Sequence, residues 1–122
     1  MKTLILLTCI LFFVTGYSQT VEIPDKNFER ALIDYGIDSD KKLNGKILKK
    51  DAQKVTFLYL SNKKIKCLKG IEAFTSLVYL DCEQNQLTNL DLSKNIALNT
   101  LFSDVNDITK TQETSGYFNW FD

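Results

Sequence analysis

From Val55 onward the apolar positions form a lattice rather than a simple alternation. With Val55, Leu77 and Leu98 set as first places, Leu58, Leu80 and Leu101 fall at the fourth. Leu60, Cys82 and Ser103 fall at the sixth, Ile65, Leu87 and Ile108 at the eleventh, and Leu68, Leu90 and Thr111 at the fourteenth. The steps between units are 22 and then 21 residues. A self-similar period of this length predicts stacked units, each a short strand followed by a return, sharing a core that none can enclose alone. Upstream, "IPDKNFERALIDYG" places Phe28, Ala31, Leu32 and Tyr35 at helical spacing, with Pro24 and Asp25 as start signals and Gly36 as a stop. An array of stacked units exposes apolar surface at its ends, so this helix is expected to cover the first unit.

The ninth place carries Asn85 and Asn106 in the second and third units, while the first has Lys63, with Asn62 one place early. An asparagine there has a physical task. Where the chain bends inward after the strand, backbone groups lose water, and one amide side chain can pair with several of them. The first unit stands at the edge of the array and is expected to need no such partner. Cys82 at the sixth place is read as a small buried hydrophobe.

Lys2 precedes an apolar run from Leu4 to Val14, and Gly16-Tyr17-Ser18 supplies small residues at a cleavage site, so residues 1–18 are expected to be a signal peptide cut near Ser18. The run is shorter than the roughly 20 residues that span a membrane. Leu6-Leu7-Thr8-Cys9 has the look of a lipoprotein box, but cutting there would leave Ile10 to Val14 as an apolar mature end. The remainder is one domain in length.

Charge is balanced overall but uneven along the chain. Between Lys41 and Lys69 ten lysines face one acid, Asp51. This block is read as a solvated face, the alternative being attraction of an anionic partner. Nucleic acid is not expected, because the lysines lack interleaved aromatics. The chain has no histidine, which excludes Ser-His, Cys-His and His-metal chemistry. Past the leader only Cys67 and Cys82 remain, and their places in the alignment argue against a bridge. "DSDKKLNGKI" has a superficial calcium-loop look, but counting from Asp38 puts Lys42 and Lys49 at two ligand places. It is read as a polar turn, and neither a metal nor a cofactor is expected.

Residues 55–108 resemble bacterial leucine-rich-repeat proteins of the internalin-like, short-repeat kind. "DYGIDSDKKLNGKILKKDAQKVTFLYLSNKKIKCLKGIEAFTSLVYLDC" is similar to the start of secreted bacterial proteins with a leader, a helical cap and L-x-x-L-D-C-S-x-N-x-L-T-x-L-D repeats. The resemblance implies an α/β fold: a short leucine-rich-repeat solenoid of about three coils with a parallel concave sheet and an N-terminal helical cap. The layout is then a cap over 19–54, repeats over 55–76, 77–97 and 98–109, and an aromatic tail or second cap over 110–122. The family implies recognition of other macromolecules rather than catalysis, and most of its members carry more units.

On a strand successive side chains point to opposite faces, so the third and fifth places of each unit look outward. These are Phe57 and Tyr59, Tyr79 and Asp81, and Thr100 and Phe102, four of them aromatic. They are the candidate ligand-binding residues, with Glu83 and Asp104 adding an acidic rim; the alternative is aromatic packing that only stiffens the sheet. The expected partner is a protein or other cell-surface macromolecule, and the expected state is a secreted, periplasmic or surface monomer. Two other readings stay open: a repeat remnant without its own ligand, and a carboxylate hydrolase using Asp81 and Asp104. In "TSGYFNWFD", Tyr117, Phe118, Trp120 and Phe121 are expected to plug the open end or to grip a partner.

Overall fold

The computed structural model describes residues 19–108 and the backbone of 110–112. The proposed leader, and Tyr117, Phe118, Trp120 and Phe121 of the aromatic tail, lie outside the described residues.

The described residues open with a small α/β unit at the place expected for the cap. Strand β1 (Thr20–Glu22) pairs antiparallel with β2 (Lys46–Leu48), Val21 standing opposite Ile47. Between them runs helix α1 (Lys26–Asp34), and a short helix α2 (Lys49–Gln53) follows β2. Asp25 starts α1 as the sequence predicts: its Oδ1 accepts the N–H of Asn27 and Phe28 at 2.9 and 3.0 Å. Such a cap is worth about 1 kcal/mol. The other oxygen, Oδ2, accepts from Lys66 and Cys67 at 2.8 and 3.1 Å, so one carboxylate ties the helix start to the first unit.

Phe28, Ala31 and Leu32 are buried, and the Phe28 ring meets Phe74 at 6.1 Å. Tyr35 departs from the expected stripe. It is 48% exposed, because the helix ends at Asp34 and the helical period no longer holds at its C-cap. Glu29 takes a buried place instead, and its carboxylate accepts the N–H groups of Asn44 and Gly45 at 2.8 to 3.0 Å.

Beyond the cap, β3 (Phe57–Tyr59), β4 (Tyr79–Asp81) and β6 (Thr100–Phe102) form a parallel sheet in that order. Phe57 stands beside Tyr79, and Tyr79 beside Thr100. In a separate sheet β5 (Asn89–Asp91) pairs in parallel with β7 (Lys110–Gln112), Leu90 in register with Thr111. The ladder thus continues through Gln112, three residues past the expected end of the repeats at 109.

The inward lattice is the core. Leu58, Leu80 and Leu101 stack in register, and Leu60, Cys82, Ile65, Leu87, Leu68 and Leu90 are all buried. Each such leucine contributes roughly 1.5–3 kcal/mol by leaving water.

The asparagines act as the bend requires. Asn85 Oδ1 accepts from Lys63 and Ile65 N–H at 3.0 and 3.1 Å, and its Nδ2 donates to the carbonyls of Leu60, Cys82 and Glu83. Asn106 repeats this one unit later, accepting from Leu87 N–H and donating to the Cys82 and Ser103 carbonyls. Each amide therefore closes the bend of the unit before it. The first unit has no preceding bend to close, which is why Lys63 can stand at its ninth place.

Candidate functional site

The three parallel strands place all six candidate residues on one outward face. Leu58, Leu80 and Leu101 point inward, so their neighbours at the third and fifth places must point out. Tyr79 is the hub. Its ring lies 5.9 Å from Phe57, 5.1 Å from Tyr59 and 5.6 Å from Phe102, all tilted. Phe57 and Tyr59 are 56% and 51% exposed, while Tyr79, Asp81, Thr100 and Phe102 are half-buried. Thr100 turns its hydroxyl to Asn99 Oδ1 at 2.8 Å. Four large rings on neighbouring strands make a contiguous cluster rather than scattered exposure.

One border of the cluster is acidic. The Glu83 carboxyl is held above its ordinary value by burial first, then by Asp81 and Asp104. Asp81 also accepts the Glu83 N–H at 3.1 Å. The Tyr79 phenol is raised by burial first and then by Asp81. Rings with a carboxylate border suit a partner that brings apolar or cationic groups.

A cleft of about 620 Å³ lies beside β3, lined by residues that include Tyr35, Asp51 and Lys54 but not Asp81, Glu83 or Asp104. Cys82 and Cys67 are free thiols. Burial, with Asp81 and Glu83, pushes the Cys82 thiol up to about 12, which keeps it protonated and unreactive at neutral pH. Among the described residues no group of three or more Cys, Asp or Glu side chains is arranged to hold a metal ion, and no helix is long and apolar enough to cross a membrane.

Among the described residues, four polar residues outside the repeat lattice are buried: Glu29, Asp38, Asp51 and Asn95. Asn95 donates to the Ile71 and Phe74 carbonyls at 2.8 and 3.1 Å, linking the second unit to the first. Glu29 anchors the cap turn. Asp38, in the turn with the calcium-loop look, is 1% exposed, with Asp40 as its acidic neighbour. Asn95 and Asp38 carry no repeated signal, since the first unit has Ala73 where the second has Asn95.

Asp38 gives a pH prediction. Burial first, and then the charge of Asp40, raises its carboxyl from 3.8 to about 6. The folded state therefore favours the protonated form. Its contribution is complete below pH 3.8 and is lost as pH rises through about 6. Asp38→Asn removes the ionisation and is expected to stabilise the fold by about 1–3 kcal/mol at pH 7.5 while changing little at pH 3.5. Urea midpoints at the two pH values check this; equal shifts at both would count against it.

No protein-family model matches the chain, and no curated protein matches it in sequence. Solved structures do share its fold. The functional domain of InlJ from Listeria monocytogenes, which includes a cysteine ladder, superposes with a TM-score of 0.64 at 24% identity. That match covers 84% of this chain and 29% of the InlJ chain. The CBM51-2 and INT domains of ZmpB from Clostridium perfringens give a TM-score of 0.56 at 30% identity, over 69% of this chain and 17% of the other. This chain spans less than a third of either. In its own units a cysteine stands at the sixth place only in the second, between Leu60 and Ser103. The chain is a repeat protein of mixed helix and strand, built around a parallel sheet.

Proposed function

We propose that this is an exported, non-catalytic leucine-rich-repeat protein, a capped solenoid of about three coils. In this reading it recognises a protein or other cell-surface macromolecule through the outward face of β3, β4 and β6. The observation that carries the reading is the ring cluster centred on Tyr79, contiguous across three strands, with Phe57 and Tyr59 half exposed. Aromatic side chains bury large area at low entropic cost, which is why they anchor interfaces. The border of Asp81, Glu83 and Asp104 favours a partner with basic groups at its rim. Likeness in fold to the InlJ domain supports the repeat architecture on which this reading rests.

The test is a binding survey against arrayed glycans and cell-surface proteins, comparing the unmodified chain with Tyr79→Ala. Loss of the hub ring is expected to weaken a cognate interaction at least tenfold, about 1.4 kcal/mol or more. It also removes three ring contacts, at a stability cost of about 1–2 kcal/mol, leaving the protein folded. A cognate partner bound with unchanged affinity by folded Tyr79→Ala would sink the assignment.

A further inference from the structure

Strand β3 is the first of the three parallel strands, so among the described residues no strand lies beside its outer edge. The hydrogen bonds fix which peptide groups face that edge. The Thr56 carbonyl accepts from Val78 and Tyr79 N–H at 2.8 and 3.1 Å, and Leu60 N–H donates to the Asp81 carbonyl. Along a strand the backbone groups of successive residues point to opposite sides. Thr56, Leu58 and Leu60 therefore direct theirs to β4, while Phe57 and Tyr59 direct both N–H and C=O to the open edge. Among the described residues no hydrogen bond fills these four groups. Such an edge is a template for another strand.

The edge borders a cleft. Its volume is about 620 Å³, and it is lined by Phe57, Leu58 and Tyr59 and by Tyr35, Ile37 and Ser39 from the end of α1 and the turn beyond. That volume lies within the roughly 300–1,000 Å³ of ligand clefts. Two charged residues line it, Lys54 and Asp51, and Lys63 stands at its border beside Tyr35, its Nζ 5.3 Å from the ring centroid. Among the described residues the one ion pair is Lys69 with Glu22, so neither Lys54 nor Lys63 is matched by a carboxylate. Asp51, the acid in the cleft, is engaged by Ser39, whose N–H and hydroxyl donate to it at 3.1 and 2.6 Å.

We propose that this cleft binds an extended acidic peptide, which adds to β3 as a further strand while its carboxylates meet Lys54 and Lys63. Main-chain pairing supplies the docking, and the unmatched lysines select the charge. A second copy of the chain fits less well, because its own β3 would bring its own Tyr35–Ser39 turn to the same place. The site uses the main chain of Phe57 and Tyr59, not their rings, and so stands apart from the aromatic face.

The experiment selects from a phage-displayed library of linear twelve-residue peptides, then measures a synthetic selected peptide against the full chain. Acid-rich peptides are expected to be enriched. Binding should slow amide exchange at Phe57 and Tyr59 at least tenfold, and Lys54→Glu should weaken it at least fivefold. Tyr59→Pro removes the outward N–H, a position where a strand edge tolerates proline, and should bind at least tenfold more weakly than Tyr59→Ala. Should Tyr59→Pro not fold, peptides N-methylated at alternate residues replace it, one set losing binding at least tenfold and the other keeping it.

Enrichment of no acidic peptide, or equal binding by the proline and alanine variants, would overturn the proposal. So would loss of binding in Tyr79→Ala with none in Tyr59→Pro, which would move the peptide to the ring face. Protection of the two amides before peptide is added would mean a segment of the chain itself fills the edge. Self-association abolished by Tyr59→Pro would assign the edge to a second copy. Either result also overturns it.

Discussion

Asn85→Ala is expected to lower the unfolding free energy by about 3–5 kcal/mol, the largest loss from any single side chain of the repeats. The amide takes part in five hydrogen bonds, to Lys63 N–H, Ile65 N–H and the carbonyls of Leu60, Cys82 and Glu83. Asn85 is buried, so truncation leaves these backbone groups without the water that could replace it. An unpaired buried group costs about 1–3 kcal/mol, and partial relaxation keeps the sum below the arithmetic total. The paired control is Asn106→Ala. That residue makes the same kind of contacts but is half-buried, so water substitutes in part and the loss should be about 1–2 kcal/mol. Urea midpoints with unchanged slope measure both. If the two variants lost equal stability, burial of the bend would not be what gives the asparagine its weight.

The second large effect is expected at Gly70. Its φ is +104°, and it precedes the short 3-10 turn Ile71–Ala73. A Cβ here would collide with Ile23 Cδ1 and lie 2.7 Å from the Glu22 carbonyl oxygen. Gly70→Ala therefore combines a backbone conformation that side chains disfavour with overlap against the fixed backbone of β1. We expect a loss of about 2–4 kcal/mol, large against a total stability on the order of 5–15 kcal/mol. The damage should be local to the seam between the cap and the first unit. Amide exchange is expected to quicken in residues 20–28 and 65–74 before it does in β4 and β6. Uniform quickening throughout would show that the cap and units unfold only together.

Much of the architecture was written in the one-dimensional pattern, for a physical reason. Leu58, Leu80 and Leu101 recur because each unit must offer the same inward surface to its neighbours, and Asn85 and Asn106 recur because each bend poses the same hydrogen-bond problem. Repetition makes such demands visible. The outward residues follow from the inward ones by strand alternation, so Phe57, Tyr59, Tyr79, Asp81, Thr100 and Phe102 could be grouped before any coordinate was seen. That Tyr79 is the hub of the rings could not, because it depends on how side chains lean between strands.

What occurs once along the chain leaves no periodic trace. Asp25 gives one carboxylate oxygen to its own helix and the other to Lys66 and Cys67, some forty residues on. Asn95 holds two carbonyls of the preceding unit, Asp38 is buried in a turn that reads as polar, and Gly70 yields space to Ile23. The cleft beside β3 belongs to this group, because it is lined both by residues just past α1 and by β3 itself, some twenty residues on. Sequence by itself determined the stacked units, their inward lattice, the bend amides and the outward aromatic face, since local spacing governs all four. Only the tertiary structure decided how the cap meets the first unit, which carboxylates lose water, and which strand edge stays open, because each of these depends on segments distant in the chain meeting in space.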